Sequence, residues 1–147
     1  MRDGTDPVGD AEDAGDDATG QATYVFGVRF RLAPTVGGVR TDPEEFETKL
    51  FRTGDPPGSD GWRFFRDNLW HGELGDPQYF REITEEALDV PVLSVDFREL
   101  RTDEAYLAAL KAEIGADLEQ FNADGVGEVV SKYLGSSIRV APAGEIP

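Results

Sequence analysis

Near its beginning the chain reads Tyr24-Val25-Phe26-Gly27-Val28-Arg29-Phe30-Arg31-Leu32, and this stretch decides the fold. One face carries Tyr24, Phe26, Val28, Phe30 and Leu32 at the even positions, while Arg29 and Arg31 occupy odd ones. Such alternation predicts a β-strand with one buried face and one solvent-exposed face. Because clean alternation is typical of antiparallel sheets covered on one side, we expect the helices of this protein to lie on a single face of a sheet.

The spacing of apolar residues predicts further strands and helices along the chain. Alternation predicts strands at 46–52, 93–98 and 136–140, and apolar spacing of three and four residues predicts four helices. The predicted helices cover 62–70, 77–88 after the Asp76-Pro77 start signal, 103–121, and 124–134 with Asp124 as the cap. The predicted fold class is therefore α+β, a two-layer domain with a mostly antiparallel sheet of about four strands and helices on one face.

The composition divides the chain into one domain and two tails. Residues 1–21 are rich in Asp, Gly and Ala, and cannot bury enough apolar surface to offset their chain entropy, so we predict a disordered acidic N-terminal tail. Residues 22–140 are predicted to form a single α+β domain, which is long enough for one hydrophobic core. Residues 141–147 are predicted to be a short C-terminal tail.

The net charge is strongly negative throughout the chain. There are 30 Asp and Glu against 14 Lys and Arg, for a net charge of −16. The first 20 residues carry seven acids and one Arg, so residues 21–147 still carry 23 acids and 13 bases, a net of −10. Self-repulsion at this density disfavours a compact state in dilute buffer, whereas molar salt screens it within about 3 Å. The charge therefore favours a protein of a salt-rich, halophilic cytoplasm.

The composition also excludes several classes of function and location. The chain has no Cys, which excludes disulfides, thiolate metal sites and cysteine nucleophiles. No apolar run approaches the ~18 residues of a membrane span, and no apolar signal-peptide segment follows the first charge, so we expect a cytoplasmic protein without membrane contact. We do not expect nucleic acid as a partner, because neutralising phosphates requires a basic surface.

Four stretches of sequence carry a family resemblance. They are Phe64-Phe65-Arg66-Asp67-Asn68-Leu69-Trp70-His71-Gly72-Glu73, the pair Gly61-Trp62, the segment from Leu100 to Leu107, and the segment from Lys132 to Ile138. Together they resemble the LWR-salt proteins of haloarchaea, named for a Leu-Trp-Arg motif, with Leu69-Trp70-His71 standing here in its place. The resemblance covers about residues 24–140. It implies a cytoplasmic haloarchaeal protein and brings no assigned activity.

The aromatic segment at 62–71 is the first candidate ligand or partner surface. Its candidate residues are Arg66, Asp67, Asn68, Trp70 and His71. In the functional interpretation these residues form a ligand groove. Trp70 stacks on the ligand, and Asn68 and His71 contact it through their polar groups. In the packing interpretation Trp70 seals an edge of the core, Arg63 and Asp67 form an i,i+4 pair, and Asn68 helps cap the helix.

The exposed side of the sheet is the second candidate surface. The predicted strands place Arg29, Arg31, Lys49, Arg98 and Arg139 on it. Guanidinium groups arranged in this way suit phosphate or carboxylate groups of a small anionic ligand or an acidic partner. The alternative is cross-strand pairing with carboxylates at Glu47, Asp96 and Glu99, which would neutralise the surface.

These observations favour a non-enzymatic interaction or ligand-binding module, with an unknown protein or a small anionic ligand as partner. No catalytic residue, metal ligand or cofactor is assigned, because no convergent constellation is recognisable. The first alternative is a hydrolase or nucleotide-using enzyme with its site at residues 66–71. The second is nucleic-acid binding through the Arg-bearing sheet face. The sequence leaves the oligomeric state open.

Overall fold

The structure is a computed structural model and describes residues 20–147. The strands are β1 (Ala22–Arg31), β2 (Glu45–Thr53), β3 (Leu69–Trp70), β4 (Glu73–Leu74), β5 (Val92–Thr102) and β6 (Ile138–Val140). The helices are α1 (Phe64–Asn68), α2 (Pro77–Leu88), α3 (Glu104–Ala116) and α4 (Val126–Leu134), with 3-10 turns at Leu118–Phe121 and Ala143–Glu145. Because the described region begins at residue 20, the predicted disorder of 1–21 falls almost entirely outside it.

Four strands form the main sheet in the order β2-β1-β5-β6. β1 is antiparallel to both neighbours, whereas β5 and β6 run parallel. On one face, Tyr24, Phe26 and Val28 are buried in a core cluster together with side chains from α3 and α4 such as Leu110 and Val129. This face is called the helix face below, and the opposite one the open face. The predicted α+β class with a mostly antiparallel sheet is confirmed.

Two helices begin where their sequence signals place them. The Asp76 carboxylate accepts a hydrogen bond from the Tyr79 amide at 3.1 Å, with proline in the first helical turn of α2. The Asp103 carboxylate accepts from the Tyr106 amide at 2.8 Å and from the Gln21 amide at 2.9 Å. Asp103 therefore starts α3 and also fixes the residue that leads into β1.

The predicted helix 62–70 is wrong at both ends, because the helix begins at Phe64 and residues 69–70 are a strand. α1 ends at Asn68, and β3 and β4 form a hairpin through a two-residue turn. Both turn residues are left-handed, His71 with φ 52° and Gly72 with φ 80°. Positive φ at both positions matches the twist of a tight hairpin, and glycine supplies it without a steric penalty. Trp70 is therefore a strand residue and does not share a helical stripe with its neighbours.

The predicted helix 103–121 is also interrupted. α3 ends at Ala116, and Asp117 leaves the helical region at φ −151° before the 3-10 turn begins. Phe121 nevertheless reaches the core, where it is 1% exposed, so the apolar spacing identified the buried face although the helix does not continue. At α4 the cap is Gly125, and no side-chain hydrogen bond caps this helix.

The predicted C-terminal tail, 141–147, returns to the sheet. The Ala141 amide donates to the Thr102 carbonyl at 2.9 Å, and the Thr23 hydroxyl donates to the Pro147 carbonyl at 2.8 Å. Thr23 alternates with Tyr24, so this contact lies on the open face at one end of β1. Within residues 20–147, no helix has the length and apolar character needed to cross a membrane.

Candidate functional site

The turn of the β3–β4 hairpin is clamped against the end of α4. The His71 amide donates to the Lys132 carbonyl at 2.8 Å, and the Gly72 amide donates to the Tyr133 carbonyl at 3.0 Å. A Cβ at Gly72 would lie 2.7 Å from Ser137 Oγ, and a Cβ at Gly135 would lie 3.2 Å from the His71 carbonyl. Two of the stretches that carry the family resemblance, 64–73 and 132–138, therefore meet backbone to backbone.

Trp70 and His71 lie on the outside of this clamp. Trp70 is 52% exposed, and its ring makes edge-to-face contacts with His71, at a centroid distance of 4.7 Å, and with Tyr133, at 5.9 Å. Edge-to-face aromatic pairs contribute packing energy in their own right. The geometry places Trp70 and His71 over the hairpin turn, where they contact each other instead of flanking a cleft with Asn68.

The polar residues of α1 are engaged in local contacts. Arg66 pairs with Asp67 at 2.9 Å, and the side chains of Arg63 and Arg66 both donate to Gln120 Oε1, at 2.6 and 3.1 Å. The Asn68 amide donates to the Phe64 carbonyl one turn earlier at 3.0 Å. The predicted Arg63–Asp67 pair is therefore replaced by Arg66–Asp67, and the five candidates between 66 and 71 do not converge on one point.

The open face carries ion pairs across and along its strands. Glu45 accepts from Arg29 at 2.6 Å and lies 3.6 Å from Arg31, both across the β1–β2 ladder. Arg101 pairs with Glu99 at 2.7 Å.

Arg98 pairs with Asp96 on the same face, and the hydrogen bond that Arg98 donates to the Asp96 carboxylate raises the pKa of Arg98. Its guanidinium occupies the space that a Cβ at Gly27 would need. Arg139 stands opposite Arg101 in the parallel register of β6, at the end of the sheet. Four arginines of the described open face thus have carboxylate partners, as the pairing alternative predicts, although Glu45 replaces Glu47 among the acceptors.

An apolar pocket of about 410 Å³ opens on the helix face, between β2, α1 and α2. It is called the apolar pocket below. Its walls include Phe26, Leu50, Phe64, Phe80, Ile83 and Val95. The pocket exists because α2 packs against β5 and leaves the inner side of the edge strand β2 uncovered. As a result, Ile83 on α2 stays 41% exposed, although its apolar spacing marks it for burial.

Polar residues are few in the lining of the apolar pocket. Arg52 extends from β2 with its guanidinium carbon 4.1 Å from the centre of the Phe64 ring, a cation–π distance. Its Nη2 lies 3.7 Å from Asp55, a loose ion pair. Asn68, Tyr79 and Thr84 are the other polar residues of the lining. Of the sequence candidates, only Asn68 lies at this pocket.

Two buried tyrosines close the core near Arg52. Tyr24 and Tyr106 are each 1% exposed, and burial raises the pKa of both phenols above the ordinary tyrosine value. The Tyr106 hydroxyl donates to the Asp55 carbonyl at 2.6 Å. Both groups therefore remain protonated at neutral pH and serve packing and hydrogen bonding.

Sequence reasoning missed Arg52, Tyr79 and Ile83 as pocket residues. A signal for Arg52 was present, because it follows Leu50 by two residues and so places a charge on the side of β2 that should be apolar. Between residues 20 and 147, no group of three or more His, Asp or Glu side chains is arranged to hold a metal ion.

Fold and pocket together define a small two-layer α+β domain with a ligand-sized apolar cavity beside its edge strand. The model of the LWR-salt protein family matches residues 20–144, and the chain belongs to this family. The match confirms the resemblance seen in the sequence. No curated protein and no solved structure matches the chain.

Proposed function

We propose that this protein is a non-enzymatic binding module whose ligand is a small, largely apolar molecule held in the apolar pocket. The observation that carries the proposal is the cavity of about 410 Å³ between β2 and α2. Small-molecule sites commonly have about 300–1,000 Å³, with mostly apolar walls and a few polar groups that orient the ligand. The pocket has this size and this composition.

The solvent exposure and the aromatic character of the pocket walls support the same proposal. Tyr79 is 52% exposed and Ile83 41% exposed, and both line the cavity. A ligand in contact with them would remove apolar surface from water, which is favourable by about 25 cal/mol per Å². The aromatic floor of Phe26, Phe64 and Phe80, whose rings contact one another, offers a firm surface for an apolar ring or chain.

A neutral fluorescent probe tests the proposal directly. N-phenyl-1-naphthylamine brightens in apolar surroundings, and we expect saturable binding to the folded chain in molar KCl. Ala87 lies in the pocket lining on α2, so Ala87→Phe fills the cavity and should weaken binding about tenfold or more, because the probe loses its buried contact area.

Ala108→Phe is the matched control, because it adds the same ring to an exposed position of α3 outside the pocket. This variant should bind the probe like the unmodified chain. If Ala87→Phe binds the probe as tightly as Ala108→Phe while both remain folded, the apolar pocket is not the binding site and the proposal fails.

We also propose that the protein works in the concentrated salt of a haloarchaeal cytoplasm. The net charge of −16 supports this, because unscreened carboxylates repel one another in the compact state. We expect the melting temperature to fall steadily as KCl is lowered from molar to millimolar concentration. Trehalose at matched osmolality is the control, because it adds solute without screening charge. An unchanged melting temperature at low salt would contradict this proposal.

The two alternatives have less support. An enzyme with its site at residues 66–71 would need convergent side chains, but Asn68 lies at the apolar pocket while His71 lies at the hairpin turn. Nucleic-acid binding would need free guanidinium groups, but Arg29 and Arg98 are paired with carboxylates on the open face.

A further inference from the structure

We infer that the ligand of the apolar pocket is an amphipathic anion, an apolar body that carries a single acid group, and that Arg52 binds this acid group. The inference rests on the proposed function and names the ligand class of the same site. Among the lining residues in the described part of the chain, Arg52 is the one that carries a charge. The pocket therefore offers apolar contact on most sides and one positive group.

The Arg52 guanidinium lies against an aromatic wall of the apolar pocket. Its carbon lies over the Phe64 ring, 4.1 Å from the ring centre. The N–H donors of arginine form a planar fork that matches the two oxygens of a carboxylate or similar acid.

The existing partners of Arg52 leave capacity for another acceptor. Its Nη2 is 3.7 Å from Asp55, beyond a good hydrogen bond, and its Nη1 is 3.4 Å from the Thr53 carbonyl. Arg29 and Arg101 differ, because their carboxylate partners lie at 2.6 and 2.7 Å. Arg52 is thus a cation beside an apolar cavity whose own ion pair is loose, and an acid group on the ligand would complete its hydrogen bonding.

The negative charge of the protein requires that an acid group be recognised by a local contact. Residues 21–147 carry a net charge of −10, so an anion gains nothing from the general field of this protein. In concentrated salt that field is screened within a few ångströms, whereas a contact inside a partly buried pocket is screened much less. Recognition of an acid group must therefore come from a local contact, and Arg52 provides it.

A matched pair of probes tests this inference on the full chain in molar KCl. The sulfonate 1-anilinonaphthalene-8-sulfonate and the neutral N-phenyl-1-naphthylamine share one aromatic body and differ in the acid group. We expect the sulfonate probe to bind the unmodified chain more tightly than the neutral one. Arg52→Gln should weaken the sulfonate probe about tenfold and leave the neutral probe within about twofold, since a hydrogen bond to a charged group is lost.

Two further variants complete the experiment. Arg52→Lys keeps the charge without the planar fork and should retain part of the preference for the sulfonate. Arg40→Gln removes the same charge from an exposed loop position outside the pocket and should change neither probe. If Arg52→Gln fails to fold, as judged by circular dichroism, the preference of the unmodified chain and the partial preference of Arg52→Lys decide the question.

The possible failures are distinguishable. If neither probe binds saturably, the proposed function fails together with this inference. If both probes bind the unmodified chain with equal affinity, or if Arg52→Gln weakens both to the same degree, the pocket stands as a binding site. In that case Arg52 supports the pocket wall without recognising an acid group, and this inference is overturned.

Discussion

The same strands give the sheet two different faces, one apolar and packed under helices, the other charged and in contact with water. On the helix face, Tyr24, Phe26 and Val28 are buried under helices except where α2 leaves β2 uncovered. On the open face, charged side chains such as Arg29 and Glu45 pair with one another in contact with water. The comparison teaches that many charged groups do not by themselves make a binding site. The candidate site arises where an apolar face is incompletely covered.

The largest expected difference between the faces concerns two phenylalanines. Phe97 on the helix face is 7% exposed and contacts the Tyr24 and Phe26 rings, whereas Phe51 on the open face is 49% exposed. Phe97→Ala should lower the free energy of unfolding by about 3–5 kcal/mol, because it leaves a cavity in the core. Phe51→Ala should cost about 1 kcal/mol or less, because the side chain is already half in water. Denaturant unfolding in molar KCl measures both.

Equal losses in these two variants would contradict the assignment of the faces. They would mean that the open face is covered as completely as the helix face in solution. The slope of the unfolding free energy with denaturant should remain the same in both variants, because each changes stability without changing how much surface unfolding exposes.

A smaller effect is expected from the buried polar contact under the helix face. Tyr106→Phe removes the 2.6 Å hydrogen bond to the Asp55 carbonyl and should cost about 1 kcal/mol at neutral pH. It should also change the response to alkali. The folded state keeps the Tyr106 phenol protonated because burial raises its pKa, while the unfolded chain ionises near pH 10.

The sign of this alkaline effect follows from proton linkage. Above about pH 10 the unfolded state binds fewer protons than the folded state, so stability is full below that pH and falls as the pH rises. Each such phenol contributes up to about 1.4 kcal/mol per pH unit. Tyr106→Phe removes one contributor, and Tyr24 remains. Urea titrations at several pH values should therefore show that the free energy of unfolding falls less steeply with alkaline pH in the variant. An unchanged slope would contradict the prediction that the Tyr106 phenol stays protonated in the folded state.

The smallest expected effect belongs to the ion pairs of the open face. Arg29 and Glu45 are about half exposed, at 48% and 44% of their side-chain surfaces. Arg29→Ser should cost about 1 kcal/mol or less, since exposed ion pairs are screened and lose side-chain entropy. A double-mutant cycle with Glu45→Ser isolates the pair. A coupling energy near 3 kcal/mol, well above that of exposed ion pairs, would show that this face is buried in solution.

The sequence predicted those features that depend on local patterns. Alternation in β1 and the Asp76-Pro77 signal were sufficient for a strand with a buried face and for the start of α2. The hairpin after α1 was missed because apolar spacing does not distinguish a five-residue helix followed by Leu69-Trp70 from one longer helix.

The apolar pocket could not be predicted for a different reason. It depends on how far α2 extends over the sheet, which is decided by packing against β5 and not by the residues of α2 alone. The candidate residues between 66 and 71 were chosen because they are polar or aromatic and close in sequence. The structure separates them, since the chain turns from helix to strand at Leu69. Only Asn68 among them reaches the pocket.

The backbone contact between the hairpin turn and α4 has a practical consequence for engineering. Peptide tags or fluorescent labels inserted at His71 or Gly72 would push directly on Gly135 and so on the start of β6, because no space separates the two backbones. The loop at Gly37 and Gly38 is a better insertion point, since a Cβ at either position would meet no atom within 4 Å. A reporter placed there would leave both the pocket and the clamp undisturbed.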